Sequence, residues 1–108
     1  MKKFPFAESP NTYIFTCEHV LDNIADICRV LHEEDGDWQF LCKANKHTLA
    51  ESRVIRFKEI LDFDFSVSEL SNMPSNYMAE RKDKTHSWEI TELSPKFSAL
   101  YEFINEDK

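Results

Sequence analysis

Three cysteines and four histidines are the residues of this chain best equipped for chemistry, and they fall into loose pairs along the sequence. Cys17 lies near His19, Cys28 near His32 and Cys42 near His47. Thiolate and imidazole are the preferred ligands of zinc, so these pairs could converge on a metal. Structural zinc sites usually announce themselves by Cys-x-x-Cys spacings, and none is present. Cys28 and Cys42 sit among apolar neighbours, where cysteine behaves as a small buried hydrophobe. The expectation is therefore a chain without metal or other cofactor. The same residues could supply a nucleophile if His32 and Cys42 met across a hairpin, but that needs an exposed thiolate held by an imidazolium. Core cysteines and surface histidines are the preferred reading, and no catalytic residue is assigned.

The acidic run Glu33, Glu34, Asp35 and Asp37 lacks the alternating ligand spacing and closing glutamate of a helix-loop-helix calcium site. Carboxylates that share acid-base work need a cleft, whereas a two-residue turn is a convex tip. Its functional use would be as an electronegative contact for a basic partner. Trp38 and Trp88 each follow a polar or charged loop, and tryptophan is enriched at interface hot spots; core packing beside the phenylalanines is the competing role. Arg81, Lys82 and Lys84 read as a solvated hairpin tip. The partner-binding candidates are thus Glu33, Glu34, Asp35, Asp37, Trp38, Arg81 and Trp88.

The elements that must position these residues follow from local pattern. Thr12 to Cys17 has strand composition, and Val20, Leu21 and Ile24 are spaced for a turn or two of helix. Ala25 to His32 is apolar on both faces, which marks a central strand. Asp35-Gly36 between this run and Trp38 to Cys42 is a hairpin signal, because the turn needs positive φ and Gly36, the single glycine, supplies it. Arg53 to Phe57 is a further strand, followed by a short helix through Phe57, Ile60 and Leu61. Ser66 and Glu69 have the spacing of a capping box. Tyr77 to Arg81 and Ser87 to Thr91 form a second hairpin around the loop from Lys82 to His86. Ser94 and Pro95 open a C-terminal helix with Phe97, Leu100, Tyr101 and Ile104 as its apolar stripe. The predicted class is α+β: a mainly antiparallel sheet with short helices and a C-terminal helix packed on it. Residues 1–11, with two prolines, read as an N-terminal arm, and residues 12–108 as one domain.

Length and charge narrow the function. At 108 residues with 42% apolar content the chain can build one core and no second domain. Thirteen Lys and Arg against twenty Asp and Glu leave a net charge of −7, which repels a phosphate backbone and argues against nucleic acid. No segment reaches the length of a membrane span, and Pro5, Glu8 and Pro10 interrupt any leader after Lys2-Lys3. An odd number of cysteines suits free thiols in a reducing cytoplasm. With a single glycine, dinucleotide fingerprints, phosphate-cradling loops and nucleophile elbows cannot be written onto this chain.

The stretch from His32 to Cys42, with its Asp-Gly-Asp-Trp-Gln-Phe-Leu-Cys core, resembles a bacterial family first catalogued as a domain of unknown function and later grouped with the immunity proteins of polymorphic toxin systems, immunity protein family thirty-three. The likeness extends to His19-Val20-Leu21, to Arg53-Val54 with Glu59-Ile60-Leu61, and to Pro74, Ala79-Glu80-Arg81 and Trp88, roughly residues 12 to 90. Lys43 stands where that family often has glycine, the loop to Glu51 diverges, and the C-terminal helix is peculiar to this chain. The resemblance implies an α+β protein without catalytic residues that neutralises a toxin domain. The expected function is a non-catalytic, cytoplasmic protein-binding domain that inhibits a cognate toxin. The alternatives are a small regulatory or housekeeping domain and, last, an enzyme built on Cys42 and His32.

Overall fold

The computed structural model describes residues 4–44 and 49–93. The C-terminal helix expected from Ser94 onward and His47 lie outside the described residues. The expected α+β class is what the structure shows: six strands in one sheet, mostly antiparallel, with short helices. In chain order these are β1 (Tyr13–Cys17), α1 (Glu18–Leu21), β2 (Arg29–His32), β3 (Trp38–Leu41), a 3-10 turn (Leu49–Glu51), β4 (Ser52–Arg56), α2 (Phe57–Phe63), a second 3-10 segment (Phe65–Leu70), β5 (Tyr77–Glu80) and β6 (Glu89–Glu92).

The sheet order is β4-β1-β3-β2-β5-β6, and the β1–β3 pair alone runs parallel. β2 and β3 are central, as their two-sided apolar pattern requires; every residue of β3 is buried. The alternation of the paired strands puts Ile14, Val30, Trp38, Phe40 and Ala79 on one face, with α2 and the second 3-10 segment contributing Phe57, Ile60, Val67 and Leu70 to the same core. Burying each of these large side chains contributes about 1.5–3 kcal/mol.

The hairpin between β2 and β3 forms where expected, but its loop is longer than a two-residue turn. Glu33 N–H donates to Asp37 O at 2.8 Å and Gly36 N–H donates to Glu33 O at 2.9 Å, which leaves Glu34, Asp35 and Gly36 in the loop. Gly36 has φ +98°, the positive-φ residue that follows a tight turn in three-residue hairpins. The second 3-10 segment is capped by Asp64 and not by Ser66: its carboxylate accepts from Ser66 N–H at 3.0 Å.

The N-terminal segment is laid over the molecule and also enters its core. Phe6 is buried, with its ring centroid 4.5 Å from Phe57 and 5.1 Å from Trp38. The carbonyls of Thr12 and Pro10 accept from Phe57 N–H and Lys58 N–H at 2.7 and 2.9 Å, so the segment satisfies first-turn donors of α2 that have no partner within the helix.

Candidate functional site

Two places in the fold gather polar side chains that chemistry or recognition could use. The first is the hairpin tip. Glu34, Asp35 and Asp37 are exposed and Glu33 is half-buried. The tip is locally ordered: Asp35 Oδ1 accepts from Asp37 N–H at 3.0 Å, and Glu33 Oε2 accepts from Gln39 Nε2 at 3.1 Å. Glu8 reaches the same end by accepting from Trp38 Nε1 at 2.8 Å. Glu92 shares that end through the register His32↔Tyr77↔Glu92. At the other end of the strands stand Arg29, Lys43 and Lys82, with the Lys43 ammonium donating to Lys82 O at 3.5 Å. That other end is mixed in charge, since Arg29 is paired with Glu80 at 3.2 Å and Glu89 shares their register row.

Trp38 borders this tip but gives it no aromatic surface. It is 2% exposed, its indole N–H is bonded to Glu8, and its ring stacks on His32 at 3.9 Å between centroids. Between its two expected roles the structure places it in the core. Arg81 departs further from expectation. It is not part of a solvated tip: its side chain is 2% exposed and forms an ion pair with Asp64 at 2.5 Å. Its guanidinium also donates to Ile27 O at 3.0 Å and Ser66 Oγ at 2.9 Å, and lies 4.0 Å over the ring of Trp88. Trp88 is half-buried under that cation, and its indole N–H has no acceptor among the described residues. Burial pushes the Asp64 carboxyl up, but hydrogen bonds from Ser66 and Arg81 outweigh it and hold the group below its ordinary value. This cluster ties the start of the 3-10 segment to the end of β5 and is structural.

The second place is a thiol–imidazole cluster. Cys17 ends β1 and His19 is the second residue of α1. That four-residue helix is closed by Asn23 at φ +60°, with Ile24 N–H donating to His19 O at 2.9 Å and Asn23 N–H to Val20 O at 3.0 Å, the paired bonds of a left-handed helix end. They fix the backbone that carries His19. Because β1 lies between β3 and β4, its C-terminal end meets both Cys42, just past β3, and Ser52, which pairs with Cys17 and follows Glu51.

One ligating atom each from Cys17, His19 and Cys42 thus lie within 4.8 Å of one another. Cys42 Sγ is 3.8 Å from His19 Nδ1, and the opposite ring nitrogen, Nε2, is 3.6 Å from Glu51 Oε2. A hydrogen bond from the Cys17 thiol holds Cys42 down to about 6, against burial that pushes it up. Glu18, on the rim, is engaged by Arg53 at 2.6 Å. The pairing of Cys42 with His32 does not occur: His32 Nδ1 is 2.9 Å from Met73 O and its ring is stacked on Trp38. Cys28 stands apart, a buried thiol whose pKa is raised first by desolvation.

Sequence reasoning listed Cys17, His19 and Cys42 among residues that could converge but set a metal site aside for want of close spacing, and it did not name Glu51. No spacing rule could have found the cluster, because the parallel pairing of β1 with β3 brings the cysteines together. No protein-family model, no curated protein and no solved structure matches the chain. No helix among the described residues is long and apolar enough to cross a membrane.

Proposed function

We propose that this chain is a non-catalytic protein-binding domain, an immunity protein that neutralises a toxin by offering its acidic hairpin tip to a basic surface. The observation that carries the reading is the exposure of Glu34, Asp35 and Asp37 on one projecting loop, with Glu8, Glu33 and Glu92 at the same end of the sheet. Carboxylates gathered at one end of a chain of net charge −7 produce a negative potential that steers a Lys- and Arg-lined cleft toward the tip. The resemblance of the hairpin sequence to immunity proteins supports the same reading. Trp38 lies beneath the tip and supports its shape, so the contact is electrostatic at its centre and not aromatic.

The test is co-expression with a basic toxin domain from the same genome, followed by stopped-flow association of the purified pair. Protection of the cells is expected, together with an association rate that falls as salt rises. Neutralising Glu33, Glu34, Asp35 and Asp37 together should slow association by roughly tenfold. Cells that die equally fast with and without this chain would refute the immunity role for that pair. An association rate indifferent to the four substitutions would refute the tip as the contact.

A further inference from the structure

We propose that Cys17, His19 and Cys42 form a binding site for a soft or borderline divalent cation of zinc's kind, with Glu51 orienting the imidazole. The proposal replaces the expectation of a metal-free chain, which rested on the absent Cys-x-x-Cys spacing. Proximity here comes from strand pairing instead.

The geometry is close to that of a tetrahedral centre. At zinc–sulfur bonds of about 2.3 Å and zinc–nitrogen bonds of about 2.0–2.1 Å, tetrahedral angles separate two sulfurs by about 3.8 Å and a sulfur from a nitrogen by about 3.6 Å. Cys42 Sγ and His19 Nδ1 already stand 3.8 Å apart, and no separation among the three donors exceeds 4.8 Å. Closing the site thus takes side-chain adjustments of about 1 Å or less, with no change of strand register.

The surroundings fit as well. A ligating histidine commonly has its other ring nitrogen turned toward a carboxylate, which fixes the tautomer and aims the ring. His19 offers Nδ1 to Cys42 and turns Nε2 toward Glu51. Two thiolates and an imidazole select zinc-like cations over magnesium or calcium, which require oxygen ligands. The other carboxylate on the rim, Glu18, is already engaged by Arg53 and is not needed. Cys17 and Cys42 are 0% and 3% exposed, whereas the His19 side chain is 30% exposed, so a cation and a fourth ligand such as water enter from the histidine side. Burial also argues against Cys42 as a nucleophile, since a substrate could not approach its sulfur as the chain stands. Binding is not a redox step: each thiol still protonated loses its proton to solvent as its sulfur joins the metal.

The test is cobalt(II), then zinc, titrated into the reduced full-length chain after removal of metal by a chelator. Cobalt should bind at one per chain, with thiolate-to-cobalt charge transfer in the near ultraviolet and tetrahedral bands in the visible. Zinc should displace it and bleach both. Cys17→Ser, Cys42→Ser and His19→Ala should each abolish this spectrum, whereas Cys28→Ser should leave it unchanged. Glu51→Gln should keep the spectrum while weakening affinity by about 10–100-fold. Because the two core cysteines bear on folding, His19→Ala, at a half-buried position, is the decisive variant, with circular dichroism confirming its fold. The proposal is overturned if the wild-type chain shows no charge-transfer band. It is equally overturned if folded His19→Ala binds cobalt as well as wild type.

Discussion

Replacing Asp64 by Asn removes one charge from a buried pair while preserving the shape of the side chain. Arg81 remains with its guanidinium out of water and cannot relieve the strain by losing a proton. Breaking a buried ion pair at one partner costs about 3–5 kcal/mol. Two features place this case at the low end: the Ile27 carbonyl still accepts from Arg81, and the Trp88 ring still faces the cation. A loss of about 3 kcal/mol is a large share of the roughly 5–15 kcal/mol that stabilises a domain of this size. With a urea slope of about 1–3 kcal/mol per molar, the unfolding midpoint should fall by at least about 1 M at neutral pH. Arg81→Met should cost less than Asp64→Asn, because the abandoned carboxyl can take up a proton whereas the abandoned guanidinium cannot release one. The pH dependence has a definite sign. Asp64 is held below its ordinary value of 3.8, so its contribution is full above that value and is lost as pH falls through the lower folded value. The gap between wild type and Asp64→Asn should therefore be constant near neutrality and shrink in acid. Equal midpoints at neutral pH, or a gap that persists unchanged in strong acid, would refute the argument that this pair is structural.

Further substitutions probe the hairpin. Gly36→Val should cost about 1–2 kcal/mol in urea unfolding; nothing lies within 4 Å of an added Cβ, so the loss is backbone strain alone, and Gly36→Asn should cost less. Trp38→Ala should lower stability by about 3–5 kcal/mol, because it empties the centre of an aromatic cluster and leaves Glu8 without its indole donor; an unchanged thermal midpoint would mean the ring is not core. Glu34→Gln, Asp35→Asn and Asp37→Asn combined should change stability by no more than about 0.5 kcal/mol, since these groups are exposed and the amide replacing the Asp35 carboxylate keeps an oxygen that can accept from the Asp37 backbone N–H; circular dichroism melts check this before any binding assay is read.

The sequence by itself determined what depends on neighbours along the chain. Gly36 announced the β2–β3 hairpin because only a residue without Cβ takes positive φ freely. The two-sided apolar character of Ala25 to His32 marked a central strand, and within β2 Val30 and Leu31, which face opposite sides of the sheet, are both fully buried. Composition excluded glycine-dependent chemistry for the same local reason. What only the tertiary structure decided was the identity of partners far apart in sequence. Arg81 read as a solvated cation because its neighbours are Lys82 and Lys84, yet Asp64, Ser66 and the Ile27 carbonyl draw it inward. His32, on the strand opposite Cys42, was the natural partner for that thiol. A crossover that lays β1 parallel to β3 supplied His19 instead, and the return of β4 on the other side of β1 added Glu51. Local pattern sets which face of a strand is apolar; the order of strands in the sheet sets which side chains meet, and strand order is a property of the whole chain.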